Sequence, residues 1–160
     1  MTKLYILCGY PFAGKSTLAR KLADRFGFVQ ISLDEINTEQ GIGLNTLKPI
    51  TPEEWQTTYK IFYERIADNL RIGHTVIADA VSYRKYRRNY LSAMAKEYNA
   101  EAFVVYLKTP LATVKKRWSG NKTTSLRPVV RDDDFYNVVN NFEEPTDPNI
   151  LLLSCLTFQV

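Results

Sequence analysis

Residues 4–22 read LYILCGYPFAGKSTLARKL, and this stretch decides the fold. Two glycines, a lysine and a serine match the pattern G-x-x-x-x-G-K-[ST], at Gly9, Gly14, Lys15 and Ser16. Loops of this pattern surround the phosphates of a nucleoside triphosphate with backbone N–H groups. We therefore predict a phosphate-binding loop, the P-loop, at 9–16, with nucleotide contacts from Gly9, Tyr10, Pro11, Phe12, Ala13, Gly14, Lys15, Ser16 and Thr17.

The sequence on both sides of the loop predicts the two elements that such a loop requires, a buried strand before it and a helix after it. Residues 4–8 are almost uninterruptedly apolar, as expected of a strand covered on both faces. After Ser16, the apolar residues Leu18, Leu22 and Phe26 recur at helical spacing, and Gly27 follows as a helix end. A strand, a loop and a helix N-terminus in this order favour anion binding, because the first N–H groups of a helix lack partners within it.

The whole chain has the composition of an ordinary globular protein. Its 160 residues predict a single domain, 1–160, and no apolar run is long enough to cross a membrane. Cys8 and Cys155 lie in apolar runs far apart, which favours reduced core cysteines and a cytoplasmic protein. The net charge of +4 suits a phosphate-bearing partner but does not by itself indicate nucleic acid.

Further strands alternate with helices along the rest of the chain. Candidate strands lie at 28–32, 75–79, 102–107 and 149–154, and candidate helices begin near 51, 83, 110 and 133. Residues 35–50 read as a polar, exposed loop that could form a lip over a substrate. Alternating strands and helices predict an α/β fold, a three-layer doubly wound sheet of five parallel strands. Ligands of such sheets bind at the carboxyl ends of the strands.

Two acids lie at those strand ends. Asp34 follows the second strand and Asp79 ends the third, so both carboxylates are expected to face the crevice that contains the P-loop. Phosphoryl transfer uses Mg²⁺ on the phosphates and often a carboxylate that takes the proton of the acceptor hydroxyl. We predict that Asp79, directly or through water, binds Mg²⁺ with Ser16 and that Asp34 serves the acceptor. The alternative for each is a solvated loop acid or a helix cap.

Aromatic residues on the second predicted helix allow two interpretations. Thr51, Pro52 and Glu54 form the start of that helix, and its apolar stripe is typical of core. Trp55 and Tyr59 could instead line an acceptor pocket.

A basic stretch at about 115–131 is predicted to form a small lid. It contains no acid before position 132, and its cations are Lys115, Lys116, Arg117, Lys122, Arg127 and Arg131. A closing lid could bring Arg117 or Arg127 onto a transferring phosphate, although a solvated helix end is the alternative. For the cluster of Arg84, Lys85, Arg87 and Arg88 we expect a solvent-exposed helix face, and the alternative is a site that binds an anionic acceptor. Asn121 to Thr124 lack the final Asp of a guanine-binding motif, and His74 precedes a strand, away from the predicted site.

The ordered segments GYPFAGKST, ISLDE, TVIADA and KKRWSGNK resemble the P-loop kinase-like family of small ATPases and phosphotransferases. This family includes chloramphenicol phosphotransferase, the zeta toxins, gluconate kinase and the kinase domain of phage polynucleotide kinase. The resemblance implies the nucleotide-kinase-like P-loop fold, ATP and Mg²⁺ bound by Lys15 and Ser16, Asp34 as acceptor base, and a lid arginine within 117–127. Many relatives have glycine in place of Phe12, and polynucleotide kinases have arginine in place of Asn37.

The resemblance implies an ATP-dependent kinase acting on a hydroxyl of a small-molecule acceptor. One alternative acceptor is the 5′-hydroxyl of a nucleoside, nucleotide or polynucleotide, which the loss of arginine at position 37 disfavours. The other alternative is a nucleotide-binding regulatory module with little turnover. Such a module would need no acceptor base, so Asp34 favours the enzyme.

Overall fold

The computed structural model describes residues 1–43 and 48–154. Five parallel strands form one sheet in the order β2-β3-β1-β4-β5. The strands are β1 (Lys3–Cys8), β2 (Val29–Ser32), β3 (Val76–Asp79), β4 (Glu101–Lys108) and β5 (Ile150–Ser154). The helices are α1 (Lys15–Phe26), α2 (Leu33–Glu39), α3 (Pro52–Arg71), α4 (Lys85–Glu97), α5 (Leu111–Thr124) and α6 (Asp132–Asn140). The predicted α/β fold is confirmed.

Side chains of β1 alternate between the two faces of the sheet because successive residues of a strand point in opposite directions. Leu4, Ile6 and Cys8 belong to the larger apolar cluster, which includes residues of α2, α3 and α4. Leu7 belongs to the second cluster, with α1. Helices therefore cover both faces, and this burial accounts for the apolar run in the sequence.

The helix that follows the P-loop has the bounds that the pattern predicted. Gly14 caps its start with φ of 103°, and Gly27 caps its end with φ of 68°. Helix α3 has the expected capping box, in which the side chain of Thr51 accepts from Glu54 N–H while the Glu54 carboxylate accepts from Thr51 N–H. No helix within residues 1–43 and 48–154 is long and apolar enough to cross a membrane.

The prediction of a continuous loop at 35–50 is wrong over its first part. Helix α2 occupies Leu33–Glu39, and the Ser32 hydroxyl caps it by accepting from Glu35 N–H at 3.3 Å. Leu33 and Ile36 are buried, and two apolar residues were too few to show a helical period. Residues 44–47 of that predicted loop, and Cys155, lie outside the described residues. Cys8 is a free, buried cysteine whose thiol pKa is raised to about 11 by burial.

The predicted exposed face at 84–88 is wrong for Arg88. Its side chain is fully buried, and its Nε lies 3.1 Å from Asp147 Oδ2. Its Nη1 also donates to the carbonyl of Ser82 at 2.9 Å. A basic run in sequence does not reveal an acidic partner 59 residues away. Arg88 thereby connects α4, the loop after β3 and the segment before β5.

We expect Asp147→Ala to destabilise the protein by about 3–5 kcal/mol, because it leaves the buried Arg88 charge without its carboxylate. Urea denaturation would measure this free energy of unfolding. The double variant R88M/D147L should recover much of the loss, since apolar side chains can replace a buried pair. Asp68→Ala, which breaks the exposed Arg71–Asp68 pair, is the matched control. Equal effects of Asp147→Ala and Asp68→Ala would contradict the assigned role of Arg88.

Candidate active site

The P-loop connects the central strand β1 to the N-terminus of α1 and passes close to β4. A Cβ atom added to Gly9 would lie 2.8 Å from the Leu107 carbonyl oxygen, so a side chain there would collide with backbone. On the other side, Gly9 N–H donates to the Val81 carbonyl at 3.3 Å, in the segment after β3. Thr109, just after β4, donates from its hydroxyl to the Ala13 carbonyl at 3.0 Å. The loop is thus held from both neighbouring strands.

Lys15 extends back into the loop. Its ammonium donates to the carbonyls of Gly9 at 3.1 Å and Tyr10 at 2.7 Å, and the residue is buried. Burial lowers the pKa of Lys15, while the negative charges of Asp79 and Asp34 oppose that shift. The lysine is therefore a buried cation close to both acids, at the N-terminus of a helix.

The two predicted carboxylates come together at the carboxyl edge of the sheet. Asp79 pairs in register with Ser32 at the ends of the neighbouring strands β3 and β2, and Asp34 lies two residues farther on, in the first turn of α2. Asp79 is buried, and its Oδ2 accepts from Gln30 Nε2 at 2.8 Å. Both acids therefore flank the crevice that contains Lys15.

The surroundings of Asp34 raise the pKa of its carboxyl group. Desolvation by the surrounding protein raises its pKa, and the charge of Asp79 adds to the effect, while Lys15 and Arg127 oppose it. The residue nevertheless remains accessible from solvent. An accessible carboxylate with a raised pKa can receive a proton from a group that approaches it.

The basic stretch predicted to form a lid, at about 115–131, lies in α5 and in the segment between α5 and α6. We use the name lid for α5, α6 and that segment, and two of its arginines lie close to the P-loop. Arg117 Nη1 donates to the Phe12 carbonyl at 3.0 Å. The Arg127 guanidinium lies 5.9 Å from the centre of the Phe12 ring. Two other cations of the predicted set are paired within the lid: Lys122 with Asp132, and Arg131 with Asp133 and Asp134.

Asn121 is a site residue that we did not predict as one. Its Nδ2 donates to the Arg127 carbonyl at 3.1 Å, and its Oδ1 accepts from Arg127 N–H at 3.0 Å. The amide thus fixes the backbone of that arginine from the buried face of α5. A signal was available, because Val114, Trp118 and Asn121 share helical spacing, which places a polar residue on an apolar stripe.

A cavity of about 510 Å³ lies between the P-loop and the lid. Its walls come from the P-loop, α1, the ends of β4 and β5, and the lid, and they include Phe12, Thr17, Lys21, Arg117, Asn121, Arg127 and Leu153. This volume is within the range of small-molecule sites. Phe12, Ala13 and Gly14 of the predicted loop and both arginines therefore line this cavity. Among the described residues, Asp34 and Asp79 lie outside its walls, close enough to Lys15 for their charges to act on it. His74 is exposed near the start of β3, away from this edge.

Comparisons with known proteins show the family and the fold of this chain. The family model described as an AAA domain (AAA_33) matches residues 4–144. The L-seryl-tRNA(Sec) kinase of Methanococcus maripaludis is 29% identical over 71% of this chain and 44% of that protein. The shikimate kinase of Persephonella marina is 28% identical over 76% of this chain and 70% of that protein. The chain therefore spans less than half the length of the seryl-tRNA kinase.

The fold also matches solved structures. Kti12 of Chaetomium thermophilum, crystallised with ADP-AlF3, has a TM-score of 0.76 at 19% identity, over 95% of this chain and 89% of that chain. At this identity the likeness concerns the fold alone.

We expect Asn121→Ala to loosen the backbone around Arg127. Amide hydrogen exchange of a peptide that contains Arg127 should accelerate by about 5-fold or more, because its N–H loses its acceptor. Thr123→Ala is the matched control, since its hydroxyl donates to the carbonyl of Gly120 in its own helix. Exchange as slow as in the parent would show that Asn121 does not fix Arg127.

Proposed function

The chain belongs to the AAA domain family matched by residues 4–144, a family of P-loop kinase-like proteins, and on that premise we propose an ATP-dependent kinase. The enzyme would transfer the γ-phosphate of ATP to a hydroxyl group of a small-molecule acceptor. The observation that carries this proposal is the position of Asp34, an exposed residue of α2 whose carboxyl pKa is raised and whose charge interacts with the buried Lys15 and Asp79. The two relatives named as kinases support the same reaction class.

The P-loop would bind the triphosphate of ATP. Residues 14–17, at the N-terminus of α1, would supply backbone N–H groups, because the first N–H groups of a helix lack partners within it and the helix dipole favours an anion. The Lys15 ammonium would contact the β- and γ-phosphates. The adjoining cavity would take the nucleoside, between the lid arginines and the first turns of α1.

The Ser16 hydroxyl and the Asp79 carboxylate, directly or through water, would hold Mg²⁺ together with the phosphates. The donors suit this ion, which prefers oxygen ligands and commonly takes only one or two from protein, with phosphates and water completing the set. No cluster of three or more His, Cys, Asp or Glu suited to a metal occurs in the part of the chain that the structure describes. Bound Mg²⁺ would neutralise charge on the phosphates. Gln30 orients the Asp79 carboxylate by donating to its Oδ2.

Asp34 would act as general base. Its carboxylate would accept the proton of the acceptor hydroxyl while that oxygen bonds to the γ-phosphorus of ATP. The bond from phosphorus to the β–γ bridging oxygen would break, and ADP would leave with that oxygen. Arg127 would stabilise the transferring group, because its charge acts on both Asp34 and Lys15.

A nucleoside, nucleotide or polynucleotide 5′-hydroxyl is the second candidate acceptor. The observation in its favour is an aromatic and cationic surface on α3 and α4. The Arg87 guanidinium lies 3.4 Å from the centre of the Tyr59 ring and donates to the Tyr63 hydroxyl, and Tyr86 and Tyr90 are exposed beside it. Aromatic rings next to arginine are typical surfaces for stacking bases. A regulatory module with little turnover has no comparable observation in its favour.

The test is a transfer assay with γ-labelled ATP and a panel of hydroxyl compounds, nucleosides and 5′-hydroxyl oligonucleotides. The parent protein should label one acceptor class, and Lys15→Ala should label none because it lacks the cation that binds the phosphates. Label in an oligonucleotide alone would select the second candidate. ATP binding without label in any acceptor would favour the regulatory module.

We expect Asp34→Asn to lower kcat by about 100- to 10,000-fold, the usual cost of removing a general base. ATP affinity, measured by calorimetry, should change little, because the carboxylate serves the acceptor. Glu35→Gln is the matched control, since Glu35 is the exposed neighbouring acid of α2. Full activity of Asp34→Asn would show that another residue is the general base. Loss of ATP binding would assign Asp34 to the nucleotide site.

We expect Arg127→Ala to lower kcat by about 100-fold while ATP affinity falls much less, because stabilisation of developing charge acts mainly in the transition state. Arg117→Ala should have a smaller effect on kcat. Lys116→Ala, at an exposed position of the same helix, is the control. Equal and small effects of all three substitutions would show that the basic segment is a solvated surface.

A further inference from the structure

Phe12 has a backbone conformation that side chains rarely adopt. Its φ is 64°, in the left-handed region, where glycine is accommodated without steric cost. A bulky residue in a strained conformation is held there by compensating contacts, so the outlier points to a role for the ring or for the backbone that it fixes.

Both the aromatic ring and the backbone carbonyl of Phe12 contact the lid. The ring packs against the apolar cluster of Val114, Trp118 and Phe135, in which the Trp118 and Phe135 rings are stacked with centres 4.0 Å apart. The Phe12 carbonyl accepts from Arg117 Nη1 at 3.0 Å. The Arg127 guanidinium lies 5.9 Å from the centre of the ring, within the range of a cation–π contact.

We propose that Phe12 is a positioning residue that couples the P-loop to the lid and places Arg117 and Arg127 over the phosphates. The proposal rests on the proposed kinase function. Movement of the loop upon a bound triphosphate would be transmitted through the ring to α5 and α6, because the ring is packed among them. A glycine would relieve the backbone strain but would leave the lid without its apolar contact to the loop.

The experiment compares variants that separate the ring from the backbone. Phe12→Gly and Phe12→Asn both suit a left-handed conformation and lack the ring, so neither should suffer from strain. Phe12→Tyr keeps an aromatic ring. Phe26→Ala is the control, since Phe26 is an aromatic residue that is 55% exposed at the end of α1. Thermal unfolding of each variant would show which of them remain folded.

Two readouts are used, and one of them requires no acceptor. The chain has two tryptophans, so in a Trp55→Phe background the fluorescence reports on Trp118 within the lid cluster. ATP should alter Trp118 emission in the parent and in Phe12→Tyr, and should not alter it in the two ringless variants. In the transfer assay, Phe12→Gly should lower kcat by about 10- to 100-fold and leave ATP affinity within about 3-fold, because misplaced arginines act on the transition state.

The proposal is overturned if the ringless variants keep the parent response of Trp118, or if Phe12→Tyr loses as much as Phe12→Gly. It is also overturned if ATP binds the parent without altering Trp118 emission. A parent that transfers phosphate to no acceptor but shows a ring-dependent Trp118 response would contradict the proposed kinase function and support the coupling. The two failures are therefore distinguishable.

Discussion

The close approach between Gly9 and the backbone of β4 is the constraint on which the rest of the site depends. Any side chain at position 9 would collide with the Leu107 carbonyl, so the chain can turn tightly out of β1 only with glycine there. This turn places the P-loop over the centre of the sheet and directs α1 back across one face. The ends of β2 and β3 then lie beside the loop, and they carry the acids.

Charge balance explains how this edge of the sheet tolerates buried ionisable groups. Lys15 is a buried cation, and Asp79 and Asp34 are the nearby anions that offset the cost of its burial. The carbonyls of Gly9 and Tyr10 accept hydrogen bonds from two of its three ammonium N–H groups. The same acids repel each other, which contributes to the raised pKa of Asp34. The surroundings that stabilise the lysine thus also give Asp34 the character of a base.

A few buried or partly buried side chains hold the segments around the site in place. The buried Asn121 amide fixes the backbone of Arg127, and the buried Arg88 connects the loop after β3 to Asp147 before β5. Phe12 does the same for the lid through apolar contact and its carbonyl. The segments with the proposed chemistry are loops and helix ends, and their positions depend on these few contacts. Substitutions at the supporting residues should therefore affect the site without touching a ligand.

The sequence by itself determined the α/β fold, the P-loop and the neighbourhood of Asp34 and Asp79, because these follow from local patterns and from the rule that parallel strands end at one edge. Only the tertiary structure decided which basic residues lie at the P-loop and which pair with acids elsewhere. Lys122 and Arg131 pair with acids of α6, whereas Arg117 and Arg127 lie at the P-loop. The sequence also did not reveal the burial of Arg88, because its partner Asp147 is distant in sequence. It did not reveal helix α2, because so short a segment has too few apolar residues to show a helical period.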